Sequence, residues 1–147
     1  MKVTIKRIAD PQAEQVIIEC VKENPDIKDI EAYVLSKGTL LSGMEDERFY
    51  SFRLSEVFYF EAVGERVFAY TKQRIFEVKA RLYVLEDAYR DKFFVRGSKS
   101  TLLNLMLLDS ISPALNGRFT AHMKNGEKIM ISRQYAGTLK KAVLGGK

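Results

Sequence analysis

Phe93-Phe94-Val95-Arg96-Gly97-Ser98-Lys99-Ser100-Thr101-Leu102-Leu103-Asn104 passes from a strand-like apolar run through a small cationic turn into a second apolar run. It reads as a rigid scaffold displaying a charged loop. Gly97 removes side-chain bulk and allows unusual backbone angles, the serines offer hydroxyl and backbone donors, and Arg96 and Lys99 bring positive charge. An anion suits such a turn; so does the plain task of connecting two strands.

Working outward, the 147 residues are enough for one domain, or one domain with a small appendage, and 46% apolar composition supports a core. The beginning, Met1-Lys2-Val3-Thr4-Ile5-Lys6, has no signal-peptide core, and no apolar run is long enough to cross a bilayer. The expected location is the cytoplasm. One cysteine, Cys20, allows no internal disulfide and is expected to be a small buried residue. With His122 as the single histidine there is no zinc-ligand cluster, so neither metal nor other cofactor is expected. Charge is uneven: residues 1–47 hold six Lys/Arg against ten Asp/Glu, whereas residues 48–147 hold eighteen against nine. A basic second part behind an acidic segment suits a polyanion partner, although solvated basic faces also arise for solubility alone.

Upstream, Val3 to Arg7 and Gln15 to Val21 read as short strands, and Asn24-Pro25-Asp26 opens a helix ending near Gly38. Residues 1–44 are thus expected to form a small α/β segment ahead of a domain over 45–147. From there the pattern is hairpins: Thr39–Gly43 with Arg48–Leu54 around Glu45-Asp46-Glu47, then Val57–Glu61 with Arg66–Thr71 around Val63-Gly64-Glu65. Their aromatics read as cross-strand core rather than base-stacking platforms. Ile75–Val78 adds a strand, Lys79–Tyr89 turns helical, and Leu105–Ile111 reads as a strand. Arg118–Met123 and Lys128–Ser132 pair through Asn125-Gly126, and a helix closes the chain through Tyr135, Leu139, Ala142 and Val143 before Gly145-Gly146. Three strand ends therefore carry Arg or Lys: Glu65-Arg66, Arg96 to Ser100, and Ser132-Arg133.

Nothing in these patterns builds an enzyme. His122 sits in an alternating strand opposite its apolar face, the acidic clusters lie at a helix start and a hairpin tip, and Gly64 and Gly97 lack the ending of a phosphate-binding loop. No enzymatic activity is expected.

Leu54-Ser55-Glu56-Val57-Phe58-Tyr59-Phe60-Glu61, the opening stretch, Ile111-Ser112-Pro113-Ala114-Leu115-Asn116-Gly117-Arg118, Asn125-Gly126-Glu127 and Ile131-Ser132-Arg133-Gln134-Tyr135 occur in this order. Together they resemble the LytTR family of bacterial DNA-binding domains, across about residues 45–145. The resemblance implies a mainly β fold (α+β overall) of elongated antiparallel sheets with few short helices. It also implies a transcriptional regulator that inserts loops into successive grooves of double-stranded DNA, at direct repeats.

Carried over by position, the groove-entering segments are Gly64, Glu65 and Arg66; Ser98, Lys99 and Ser100; and Ser132, Arg133 and Gln134. Arg133 has the geometry to read guanine, and Lys99 can do so less rigidly. Ser98, Ser100, Arg66 and Lys140 suit phosphates. Arg96 either joins them or holds the loop by pairing with a carboxylate. Two departures stand out: Ser98 occupies a position where the family commonly has histidine, and Glu65 puts an acid at the first tip. In place of a receiver domain the sequence offers only residues 1–44, so the partners implied are a second copy on DNA and an inhibitory membrane protein. Two rival readings remain, a protein-interaction module with basic loops and a small ligand binder or enzyme.

Overall fold

A computed structural model describes residues 1–144; the closing Gly145-Gly146 of the sequence reading lies outside them. The first helix, α1 (Pro25–Gly38), starts where expected, with the Asn24 side chain accepting from the Ile27 N–H at 3.0 Å. It ends at Gly38, as expected, but the cap is not the glycine. Thr39 is the capping residue and donates its hydroxyl to the Leu35 carbonyl at 2.8 Å, and a side chain at Gly38 would meet open space.

Ten strands follow or intervene: β1 (Leu40–Glu45), β2 (Arg48–Arg53), β3 (Tyr59–Val63), β4 (Arg66–Tyr70), β5 (Ile75–Val78), β6 (Phe94–Ser98), β7 (Thr101–Asn104), β8 (Leu108–Pro113), β9 (Phe119–Met123) and β10 (Lys128–Ile131). Helix α2 (Leu82–Tyr89) lies between β5 and β6, and α3 (Arg133–Val143) follows β10. The strands form two antiparallel sheets, one of seven in the order β2-β1-β5-β4-β3-β7-β6 and one of three in the order β10-β9-β8. The expected mainly β architecture of antiparallel sheets with few short helices is therefore present.

The strand β7 explains why the opening stretch governs the fold. All four of its residues are buried, and its side chains alternate between two cores. Leu102 joins Phe60, Phe94, Val57 and Leu54 on the side covered by Leu82 and Leu85 of α2. Leu103 joins Tyr59, Ala121, Ile131 and Leu139 on the side covered by the small sheet and α3. Asn104, 2% exposed, ends the strand by donating to the Val57 carbonyl at 2.9 Å and accepting from the Met106 N–H at 3.0 Å. That second bond begins a 3₁₀ turn, Leu105–Leu107, so the strand expected from Leu105 starts only at Leu108.

Most of the hairpin aromatics behave as core, Phe49 on β2 being the exposed exception. Phe52 stacks on Phe76 with centroids 4.5 Å apart, and Tyr59 on Tyr70 at 4.3 Å. The Tyr59 hydroxyl donates to Glu127 at 2.8 Å, fastening the β9–β10 hairpin to the large sheet; burial first, then that carboxylate, raises its pKa.

The β1–β2 turn has Asp46 at φ 50° and Glu47 at φ 65°, a tight reversal usually built from Asn-Gly. Replacing Glu47 with glycine removes the Cβ penalty and is expected to raise stability by about 1 kcal/mol in urea denaturation.

The front of the chain departs most from expectation. Neither Val3–Arg7 nor Gln15–Val21 forms a strand; residues 1–24 contain only a 3₁₀ turn at Pro11–Ala13, and Cys20 is exposed rather than buried. β-Branched composition alone cannot hold a strand that has no neighbour to pair with. The boundary expected after residue 44 falls at the end of β1, which pairs with both β2 and β5 in the large sheet. No helix among the described residues is long and apolar enough to span a membrane.

Candidate nucleic-acid interface

Two backbone hydrogen bonds bring the three cationic segments to one end of the molecule. The Ala62 N–H donates to the Ser100 carbonyl at 2.8 Å, setting the β3–β4 tip beside the β6–β7 turn. The Ser132 N–H donates to the Gly97 carbonyl at 2.9 Å, setting the start of α3 against that same turn. Sheet order alone explains the first contact, since β3 is the neighbour of β7 with Glu61 opposite Thr101. The second requires the small sheet to pack on the large one, through Ile131 and Leu103.

Within the central turn the side chains divide between internal bonding and exposure. The Ser98 hydroxyl lies 3.3 Å from that of Ser100 and 2.9 Å from that of Thr101, and accepts from the Ser100 N–H at 3.2 Å. Both serines thus brace the turn, while Lys99 is exposed. Arg96 is structural: its side chain is 15% exposed, its Nε bonds Glu86 at 3.1 Å, and Nη1 donates to the Lys99 carbonyl at 2.7 Å. Changing Arg96 to Met, which keeps the stem and loses the donors, is expected to cost about 1–2 kcal/mol of stability. The turn's amides should exchange faster with solvent.

Gly97 serves space rather than conformation. The register shifts across it between Arg96 and Ser98, as in a β-bulge, and it is not among the residues at positive φ. An added Cβ would meet Leu103, Ile131 and Thr101.

In the first segment Gly64, at φ 62°, makes the turn and Glu65 is exposed. Arg66 bonds Glu77 twice, at 2.8 and 3.2 Å, and its guanidinium lies 5.1 Å from the Phe68 ring centre. That hydrogen bonding holds the Glu77 carboxyl below its ordinary value and raises Arg66. Arg66 is solvent-exposed while Glu77 is half-buried, so a phosphate can still compete for the cation.

The third segment is not a loop. Ser132 is the N-cap of α3, and Arg133 and Gln134 occupy its first turn, both exposed. Lys140 lies one heptad beyond Arg133, on the same side of the helix and exposed. Two residues absent from the sequence-based set belong here: Asn116 and Arg118 line, with Ser132, Arg133 and Gln134, a cleft of about 450 Å³. Asn116 at φ 60° and Gly117 at φ 73° make the turn, and a Cβ on Gly117 would lie 3.1 Å from the Arg133 stem. The consecutive Asn-Gly in the sequence was the available signal for that turn.

His122, expected to be exposed, is half-buried, with its Nε2 2.8 Å from the Ser112 hydroxyl. No acidic side chain is among its hydrogen-bond partners within the described residues.

This arrangement of hairpin tips and a helix start is the setting for the comparison with known proteins. The model of the LytTr DNA-binding domain family matches residues 47–144. The chain belongs to that family. Among the relatives of this LytTR protein are HTH-type transcriptional regulators, themselves uncharacterised, from two Staphylococcus aureus strains, bovine RF122 / ET3-1 and NCTC 8325 / PS 47. Each is 28% identical over 142 residues, covering 95% of this chain and 96% of the relative. A solved LytTr DNA-binding domain from Bacillus cereus superposes with a TM-score of 0.67 at 22% identity, covering 73% of this chain and 97% of that one. Among the described residues of this LytTR protein no two α-helices follow one another across a turn, so its helices do not form the helix-turn-helix that the relatives are named for.

Proposed function

We propose that this protein is a transcriptional regulator that binds duplex DNA through the three juxtaposed segments, entering the grooves at Glu65-Arg66, at Ser98 to Ser100 and at Ser132 to Gln134. The observation that carries the reading is their gathering at one end by the Ala62–Ser100 and Ser132–Gly97 hydrogen bonds. Arg133 is the base reader, since its exposed guanidinium can bond two major-groove acceptors of guanine, and Arg118 stands beside it in the same cleft. Lys99 reads or neutralises from the central turn. Ser98 and Ser100 keep that turn rigid while their neighbouring backbone approaches phosphate, and Arg66 and Lys140 meet the backbone electrostatically. Gln134 can bond adenine, and Glu65 is compatible with the groove only where it accepts from a cytosine amine.

Such contacts suit a pair of direct repeats occupied by two copies. Titrating the full chain against a promoter-derived duplex at rising salt is the test: log affinity should fall linearly with log salt, by about 0.9 per phosphate neutralised. Absence of duplex binding at low ionic strength would refute the proposal.

A further inference from the structure

Residues 1–24 lie outside both sheets, yet their chemistry is that of paired strands. All except Ile18 are exposed, including Val3 at 82% and Ile5 at 88%. Exposed β-branched residues in an extended segment are unfavourable in a lone molecule and ready-made for pairing. The first stretch carries Lys2, Lys6 and Arg7 without an acid; the second carries Glu14 and Glu19 without a base.

One antiparallel register satisfies both kinds of side chain at once. Setting residues 2–7 against residues 14–19 puts Val3 opposite Ile18 and Ile5 opposite Val16 on one face. It also puts Lys2 opposite Glu19 and Arg7 opposite Glu14, opposite charges directly across the ladder. A shift by one residue breaks this double match, since it sets Val3 against Glu19 or Ile5 against Gln15. Each stretch is therefore the complement of the other.

We propose that this complementarity joins two copies of the chain: residues 2–7 of one pair with residues 14–19 of the other, and reciprocally. The exchange is self-complementary, as a twofold interface must be. Within one chain the same register would give an isolated two-stranded ribbon with nothing over its apolar face, which is marginal in water; in the structure residues 1–24 are in no ladder. Two copies supply two ladders whose Val3, Ile5, Val16 and Ile18 cover each other, with the Arg7–Glu14 pair at the end of that face. Lys22, Glu23 and Asn24 then link each arm to the α1 cap, so that the arms tether two DNA-binding domains and raise the effective concentration of the second. The proposal takes its purpose from the DNA-binding reading but is tested separately.

Cys20, exposed and alone, is first changed to Ser in the full chain. Ile5→Cys and Val16→Cys proteins in that background are then mixed and oxidised. A disulfide-linked dimer containing one of each is expected. Glu19→Lys should weaken the dimer about tenfold in sedimentation equilibrium, and adding Lys2→Glu to the same chain should restore it. A protein that stays monomeric, or an Ile5→Cys/Val16→Cys double variant that closes its disulfide within one chain, would overturn the proposal. Binding of the unsubstituted chain to a short random duplex at low salt is measured in parallel. Its loss would refute the DNA reading and leave the dimer result standing.

Discussion

Replacing Gly97 with valine is expected to lower stability by about 3 kcal/mol and to weaken DNA binding more than the loss of either serine beside it. The first added carbon would clash with Leu103 Cδ1 and lie 2.9 Å from both Ile131 Cδ1 and Thr101 Oγ1. Those are tips of side chains, which elsewhere could swing aside, but Leu103 and Ile131 are both fully buried. Overpacking a dense core costs about 1–3 kcal/mol, and valine brings two further methyl groups to the same place. Relief requires Leu103 on β7 to be displaced and β6 to move away from Ile131 on β10, and the second shift stretches the Ser132–Gly97 hydrogen bond which aligns α3 with the central turn. Gly97→Ala should show the same effects in smaller measure. Gly38→Ala is the control: its added carbon meets nothing within 4 Å and its backbone is conventional, so stability should hold or rise. Urea denaturation and duplex titration of the three variants measure both predictions. A Gly97→Val protein as stable as the parent would show that the two sheets are not in close contact at this point.

The same residue shows what the sequence could and could not disclose. That Phe93 to Asn104 is strand, turn and strand follows from its apolar runs, and the pairing of Val95 with Leu103 agrees. The resemblance to LytTR domains carried the architecture further than periodicity could, since each motif alone is ambiguous. The reason for Gly97 was hidden, because it depends on Ile131, thirty-four residues away and in the other sheet. Arg96 was undecidable for the same reason; Glu86, on α2, is its partner. Local chemistry also overstated some segments. Val3 to Arg7 has the composition of a strand but no neighbour in its own chain, and Arg133 follows a strand closely enough to read as a loop although α3 begins there. Asn116 and Arg118 lie within the Ile111–Arg118 motif, but only the fold of the Asn116-Gly117 turn brings them to Arg133.

Arg133→Ala should relax discrimination at one base pair, costing about 1–3 kcal/mol for the preferred sequence and little for others. Three features of its position support its proposed role as the base reader. It lies in the first turn of α3, whose Ala136 and Leu139 are anchored in the second core, so the helix start is held rigidly. Its stem passes over Gly117, leaving the exposed guanidinium beside Arg118. It makes no salt bridge among the described residues, in contrast to Arg66 and Arg96, so no internal carboxylate must be displaced. Lys140→Ala, on the same side of the helix but toward its far end, should weaken all duplexes alike and reduce the salt slope by about one phosphate. Selecting bound sequences from a random duplex pool with the parent and each variant separates the two roles. Arg133→Ala should lose information at one position of the selected motif, while Lys140→Ala should return the parental motif at lower affinity. If both variants return the parental motif unchanged, base reading belongs to another segment, and Lys99 in the central turn is the exposed side chain to test next.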